Sequence, residues 1–228
     1  MRVLLISNST QYGRGYLDHV EAELRDFLGG ARRLLFAPFA VFDREAYVAK
    51  ARARLAALGL EVHALSAPAA LDSADAIFVG GGNTFRLLKA LQDLQLVASI
   101  RRRVEAGMPY VGSSAGAIVA GPTLKTTKDM PIVEPSSFDA LGLVGFQVSP
   151  HYLDPDPSST HMGETQEERI SQFLEENDAP VLGLREGGLV RVEGGVVRLG
   201  GSAGARIFRK GREPVEARPG DELQSLLS

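Results

Sequence analysis

"PYVGSSAGAIVAG" (residues 109–121) reads as a buried strand, a sharp turn and the start of a helix, and the architecture around it follows from that reading. Within it, Gly112-Ser113-Ser114-Ala115-Gly116 fits the G-x-S-x-G pattern of a nucleophile elbow. A serine on a tight strand-to-helix turn sits on strained backbone, and small neighbours let strand and helix approach closely. The turn aims the hydroxyl outward and places the next backbone N–H, that of Ala115, where a developing oxyanion can use it. Of the two serines, only Ser114 holds the central position. The same composition also suits a Gly/Ser-rich turn that merely caps a helix, and the pentapeptide alone occurs often by chance. A catalytic reading therefore requires a base and a second oxyanion donor elsewhere in the chain.

Working outward, "RVLLIS" (2–7), "RLLFAPF" (33–39), "EVHAL" (61–65) and "AIFVG" (76–80) read as strands. Residues 16–28, 44–59, 83–93 and 95–106 carry apolar positions at helical spacing. This alternation predicts an α/β fold, a mostly parallel central sheet with helices on both faces. From residue 181 the pattern changes to short β-prone runs separated by Gly pairs, which predicts antiparallel hairpins near the C-terminus, at the end of the sheet. Residues 121–165 are rich in Pro, Ser, Thr and Asp with little helix, and a long irregular segment inside a compact domain is more often functional than accidental. No linker or repeat divides the chain, so residues 1–228 read as a single domain.

Composition narrows the function classes. The chain is 44% hydrophobic and 23% charged, with a net charge of -3 and scattered Lys and Arg, which argues against a nucleic-acid partner. No apolar run approaches the roughly 20 residues that span a bilayer, so no membrane partner is expected. The apolar run in "MRVLLISNST" is too short for a secretory signal, and a cytoplasmic location is the expectation. With no cysteine, disulfides, thiolate metal ligands and a Cys nucleophile are excluded.

Four histidines are candidates for the base. His19 falls in the first helical pattern and His63 in a strand, both read as structural. His151 follows a short strand and a proline in "VSPHYLDPD", a good position for a general base; His161, in "SSTHMGET", is the alternative. The second oxyanion donor is sought in "FVGGGNTFRLL" (78–88), where three glycines after a strand let backbone N–H groups approach a ligand and Asn83 or Thr84 caps the next helix. A phosphate cradle is the weaker reading of that turn, because neither G-x-G-x-x-G nor a Walker lysine is present.

The blocks "SNST" (7–10), "GGGNTF" (80–85), "GSSAGA" (112–117), "TTKDMPIVEPSSFDALGL" (126–143), "SPHY" (149–152), "GETQEERI" (163–170) and "GLREG" (183–187) occur in order, and together they resemble the serine peptidase family S51. The resemblance covers nearly the whole chain. It implies a class I glutamine amidotransferase-like fold with serine at the elbow in place of cysteine. It implies hydrolysis of dipeptides bearing an N-terminal aspartate, without metal or cofactor, with a small peptide as partner; monomer and homodimer both remain open. Carried over by motif, Ser114 is the nucleophile and His151 the base, with Asp129 or Glu186 as the third member. Glu186 is favoured, because it ends the apolar strand "PVLGL" and a carboxylate behind an imidazole must be held rigidly, whereas Asp129 sits in a loop beside Lys125 and Lys128. Backbone N–H groups of Ala115 and the Gly81-Gly82 turn are the expected oxyanion donors, and Asn83 is a candidate for gripping substrate, with helix capping as its rival role.

Two positions depart from the pattern. Ser113 stands where the resemblance implies a bulky tryptophan, and Gln166 where it implies arginine. Arginine forks a carboxylate bidentately and glutamine cannot, so strict aspartate preference is in question. Arg169 is the candidate substitute, with a surface salt-bridging role as the plainer alternative. The rivals are a broader aminopeptidase or cyanophycinase-like peptidase of the same superfamily, and a non-catalytic domain binding a small ligand at the Gly80–Asn83 turn.

Overall fold

The computed structural model describes residues 1–160 and 162–226. The described residues form eleven strands and six α-helices, which as far as β5 follow the order expected from the alternating pattern; α6 lies outside that reading. The strands are β1 (Arg2–Ile6), β2 (Arg33–Ala37), β3 (Glu61–Ala64), β4 (Ala76–Val79), β5 (Tyr110–Ser113), β6 (Gln147–Pro150), β7 (Val181–Leu184), β8 (Gly188–Glu193), β9 (Val196–Gly201), β10 (Ala205–Arg209) and β11 (Arg212–Ala217). The helices are α1 (Glu21–Phe27), α2 (Arg44–Ala56), α3 (Thr84–Asp93), α4 (Leu96–Glu105), α5 (Ala115–Ile118) and α6 (Gln166–Glu176).

Seven strands form the main sheet in the order β3-β2-β4-β5-β1-β8-β9. The first five run parallel, and β8 and β9 add to β1 as an antiparallel hairpin. Successive side chains of a strand point to opposite faces, so a strand buried on both sides must be apolar throughout. β1 obeys this: Val3 and Leu5 pack with Leu87, Leu91 and Ile100 of α3 and α4, whereas Leu4 and Ile6 pack with Leu24, Phe27, Val48 and Leu55 of α1 and α2. Helices therefore cover both faces.

Two expectations change in detail. The helix read over 16–28 begins only at Glu21, because Leu17 turns left-handed (φ +61°) and its N–H is drawn back to Ser9 O at 2.7 Å. Of the C-terminal hairpins, only β8–β9 lies at the end of the main sheet. The other, β10–β11, pairs onto β7, and β7 runs parallel to β6, giving a separate four-stranded sheet in the order β11-β10-β7-β6. Between residues 121 and 165 no described residue is helical and β6 is the single strand element, as the composition of that segment predicts.

Candidate active site

The carboxyl ends of β1, β4, β5, β6 and β7 come together, and the residues immediately after them build the site. Ligands bind at this end of open α/β sheets, because loops and helix N-termini present their N–H groups there. Ser114, between β5 and α5, has φ +53° and ψ −110°. Such backbone costs a non-glycine residue on the order of 1–3 kcal/mol and persists only where its surroundings over-determine it. Here Ser114 N–H donates to Ile6 O at 2.9 Å, and Ser114 O accepts from Ala117 N and Ile118 N at 2.8 and 3.0 Å. The flanking glycines are required by close approach: a Cβ on Gly112 would lie 2.4 Å from Gly116 O, and one on Gly116 only 2.1 Å from Val79 O.

His151 follows β6 and is also left-handed, with φ +53°. Its backbone is held on both sides. Its N–H donates to Ser7 Oγ at 2.9 Å, and the same hydroxyl donates to Leu184 O at 2.8 Å, tying the ends of β1, β6 and β7 together. Its carbonyl accepts from Gln166 Nε2 at 3.1 Å and from Lys128 Nζ at 3.3 Å, and Lys128 also donates to Pro150 O at 2.6 Å. Desolvation of the Lys128 ammonium in this setting pushes its pKa down to about 8.

The imidazole lies between a hydroxyl and a carboxylate. Ser114 Oγ is 2.9 Å from His151 Nε2, and His151 Nδ1 is 2.7 Å from Glu186 Oε1. A carboxylate only accepts, so it selects the tautomer with the proton on Nδ1 and leaves Nε2 to accept the serine proton. The His151 and Glu186 side chains are 41% and 52% exposed, so this chain of groups opens to solvent. Glu186 sits in the turn between β7 and β8, where Gly187 N–H donates to Asn8 Oδ1 at 2.8 Å. Its neighbour Arg185 is clamped by Asp154 and Glu216.

The other carboxylate named from the sequence goes elsewhere. Asp129 Oδ2 accepts from Thr84 N at 2.7 Å, Thr84 Oγ1 at 2.6 Å and Thr127 Oγ1 at 3.1 Å, fastening its loop to the start of α3. Asn83 is the N-cap of that helix: its Oδ1 accepts from Arg86 N at 3.0 Å while its Nδ2 donates to Met130 O at 2.8 Å. Both ends of its amide are thus engaged. Gln166 is engaged likewise, its Oε1 accepting from Leu153 N at 3.2 Å and Lys128 Nζ at 3.0 Å. Arg169 pairs with Glu164 at 3.6 Å on the surface. His161 lies outside the described residues. His63 pairs with Glu61 on β3, and the His19 ring nitrogens are buried without a hydrogen-bond partner, their protonation disfavoured first by desolvation.

The backbone donors also sort themselves. Gly81 N–H is spent on Tyr47 Oη at 3.0 Å. Gly82, in a left-handed turn at φ +132°, and Ala115, in the first turn of α5, carry N–H groups with no acceptor among the described residues. First-turn N–H groups of a helix have no intrahelical partner by construction, which is what makes them available to an oxyanion. Sequence reasoning did not single out Ser7, Tyr47 or Lys128. For Ser7 a signal existed, a polar "SNST" directly after an apolar strand at the end of the sheet where sites form. Among the described residues no group of three or more His, Cys, Asp or Glu side chains is arranged to hold a metal ion.

Residues 3–200 match peptidase family S51. A Streptomyces coelicolor protein named peptidase E is 55% identical over 231 residues, spanning 100% of this chain and 95% of the relative. A Drosophila melanogaster protein named "probable alpha-aspartyl dipeptidase" is 44% identical over 232 residues, spanning 99% of this chain and 97% of the relative. The crystal structure of a peptidase from an acI-B1 actinobacterium superposes with a TM-score of 0.73 at 18% identity, over 97% of this chain and 96% of that one, a likeness of fold.

Proposed function

The chain belongs to peptidase family S51, and from that premise we propose that it is a serine dipeptidase hydrolysing dipeptides with an N-terminal aspartate, through Ser114, His151 and Glu186. His151 Nε2 takes the Ser114 proton as Oγ attacks the carbonyl carbon of the N-terminal residue. The negative charge on the former carbonyl oxygen is received by the N–H groups of Ala115 and Gly82. His151 returns the proton to the leaving amine, the C–N bond breaks, and an acyl-enzyme remains. Water, deprotonated by the same nitrogen, attacks the ester; the second tetrahedral species collapses to free acid and Ser114. Glu186 holds the imidazole in the productive tautomer and offsets the imidazolium charge as it forms. Residues 1–228 act in this reading as one catalytic domain.

The observation that carries the reading is the unbroken pair of contacts from Ser114 Oγ through His151 to Glu186, at 2.9 and 2.7 Å, on an elbow whose backbone is strained. The name of the Drosophila melanogaster relative supplies the substrate class. One observation favours a second reading, a broader aminopeptidase: Gln166 spends its amide on the backbone of the His151 loop rather than offering it to a ligand.

Hydrolysis of Asp-Leu, Glu-Leu, Asn-Leu and Ala-Leu by the wild type and by Ser114→Ala tests both. Selective cleavage of Asp-Leu that disappears in the variant is the expected result. Cleavage of all four, lost in the variant, replaces aspartate selectivity with the broader reading. Equal cleavage by Ser114→Ala overturns the nucleophile.

A further inference from the structure

A cleft of about 460 Å³ opens beside the nucleophile, within the range of small-ligand sites, and Ser114 and His151 form one side of it. The opposite side comes from α2 and the turn before it, a part of the chain in which the sequence motifs place no chemistry. Apart from His151, the lining carries one carboxylate, Asp43, and one ammonium, Lys50. Asp43 Oδ1 caps α2 by accepting from Ala46 N at 3.0 Å. Lys50 has no such employment. Its Nζ lies 4.6 Å over the ring of Tyr16, and among the described residues no carboxylate is within ion-pair distance of it. The Tyr16 hydroxyl, in a side chain that also lines the cleft and is 7% exposed, faces the Tyr47 hydroxyl but reaches no partner in hydrogen-bond geometry.

A buried hydroxyl without a partner is costly, and a cation held over an aromatic face still has N–H donors to spend. Two other cations beside the His151 loop are already committed: Lys128 to the carbonyls of Pro150 and His151 and to Gln166, and Arg169 to Glu164. Gln166 supplies no charge. Among the described residues, the one uncommitted ammonium or guanidinium lining the nucleophile's cleft is therefore Lys50, and a cleft with one positive and one negative group complements a short zwitterionic peptide.

Resting on the peptidase reading above, we propose that Lys50, standing over Tyr16, is a substrate-carboxylate site of this cleft. The carboxylate has two sources in an Asp-X dipeptide, the C-terminal α-carboxylate of the leaving residue and the side chain of the N-terminal aspartate. Lys50 is exposed, so pairing adds affinity rather than relieving a buried charge. Binding of the α-carboxylate favours dipeptides over longer peptides, and binding of the aspartyl side chain favours aspartyl over neutral N-terminal residues.

Binding is measured without turnover by titration calorimetry in the Ser114→Ala protein, with Lys50 intact or replaced by Gln or Arg. The probes are Asp-Leu, Asp-Leu amide and Asn-Leu. Lys50→Gln is expected to weaken Asp-Leu by about tenfold or more, the scale of a charge-assisted hydrogen bond, and Lys50→Arg to recover most of it. If the Gln effect vanishes with the amide, the α-carboxylate is the ligand; if it vanishes with Asn-Leu, the aspartyl side chain is. Equal weakening of all three probes, no weakening of any, or no binding of Asp-Leu with Lys50 intact overturns the proposal. In otherwise wild-type protein, reaction of Ser114 with a fluorophosphonate, with and without Lys50→Gln, reports on the nucleophile separately. Failure of the Lys50 site and failure of the serine peptidase reading are thereby told apart.

Discussion

At the scale of single residues the decisive contrast is between two carboxylates. Glu186 contacts His151 Nδ1, and Asp129 is bound by Thr84 and Thr127 at the start of α3. If Glu186 orients the imidazole, Glu186→Gln lowers kcat by on the order of 10² to 10⁴, because an amide in that place can stabilise the wrong tautomer. Asp129→Asn changes kcat less than about tenfold and lowers thermal stability instead, since it weakens a carboxylate acceptor serving three donors. Steady-state kinetics and thermal melts of the two variants, run side by side, check this; the reverse pattern reassigns the third member to Asp129. The family resemblance narrowed the choice to these two positions, and an argument from rigidity favoured Glu186, the one that contacts His151. It did not show that Gly81 N–H is taken by Tyr47, because an acceptor 34 residues away has no local signature.

At the scale of elements, the elbow works because β5, α5 and β4 approach more closely than side chains permit. Gly116→Ala is expected to push α5 away from Val79 and to destabilise the protein by about 1–3 kcal/mol, as overpacking does. For a chain of this size that is roughly 2–4 °C in Tm per kcal/mol. The helix start at α3 is a second case. Asn83→Ala removes an N-cap and the tie to Met130 O together, and a loss of about 0.5–2 kcal/mol is expected from the cap alone. Calorimetric melting of each variant measures both effects, and an Asn83→Ala protein as stable as the wild type would return Asn83 to a substrate-binding role. The strands and helices as far as β5 were legible from periodicity, most of them to within a few residues, whereas α6 was not read as a helix. The start of α1 was not, because Leu17 is turned left-handed by a bond to Ser9 across a loop rather than by any turn residue.

At the scale of the whole molecule, three phenols are withdrawn from solvent around the site and its supporting strand, Tyr16 and Tyr110 buried and Tyr47 half-buried. Desolvation raises Tyr16, Tyr47 and Tyr110 above the ordinary tyrosine value, for Tyr16 with a further contribution from Tyr47 beside it. Above pH 10 the unfolded chain loses these protons while the folded one retains them. The unfolded state then binds fewer protons, and stability falls as pH rises. Below pH 10 the contribution is fully present. Tm is expected to drop as pH passes 10, with tyrosine ionisation followed by absorbance rising together with unfolding for these three residues. Ionisation complete while the far-ultraviolet circular dichroism is still native would place the phenols in contact with solvent and refute their burial.

What the sequence determined by itself is whatever depends on neighbours along the chain: the alternation of strand and helix, the elbow at Ser114 with its obligatory glycines, the helix caps, and the short list of histidines able to serve it, the two carboxylates being implied by the family resemblance. Nearest-neighbour chemistry and side-chain period decide those, and both are written in consecutive residues. The tertiary structure alone decided which hairpin joins which sheet, which carboxylate meets His151, which glycine N–H stays free, and that Lys50 shares a cleft with Ser114. Each of these is a pairing between distant segments, as when Ser7 bonds His151 across 144 residues and Leu184 across 177. A hydrogen bond formed at that separation depends on where the packed layers bring the two ends, and no local pattern carries that information.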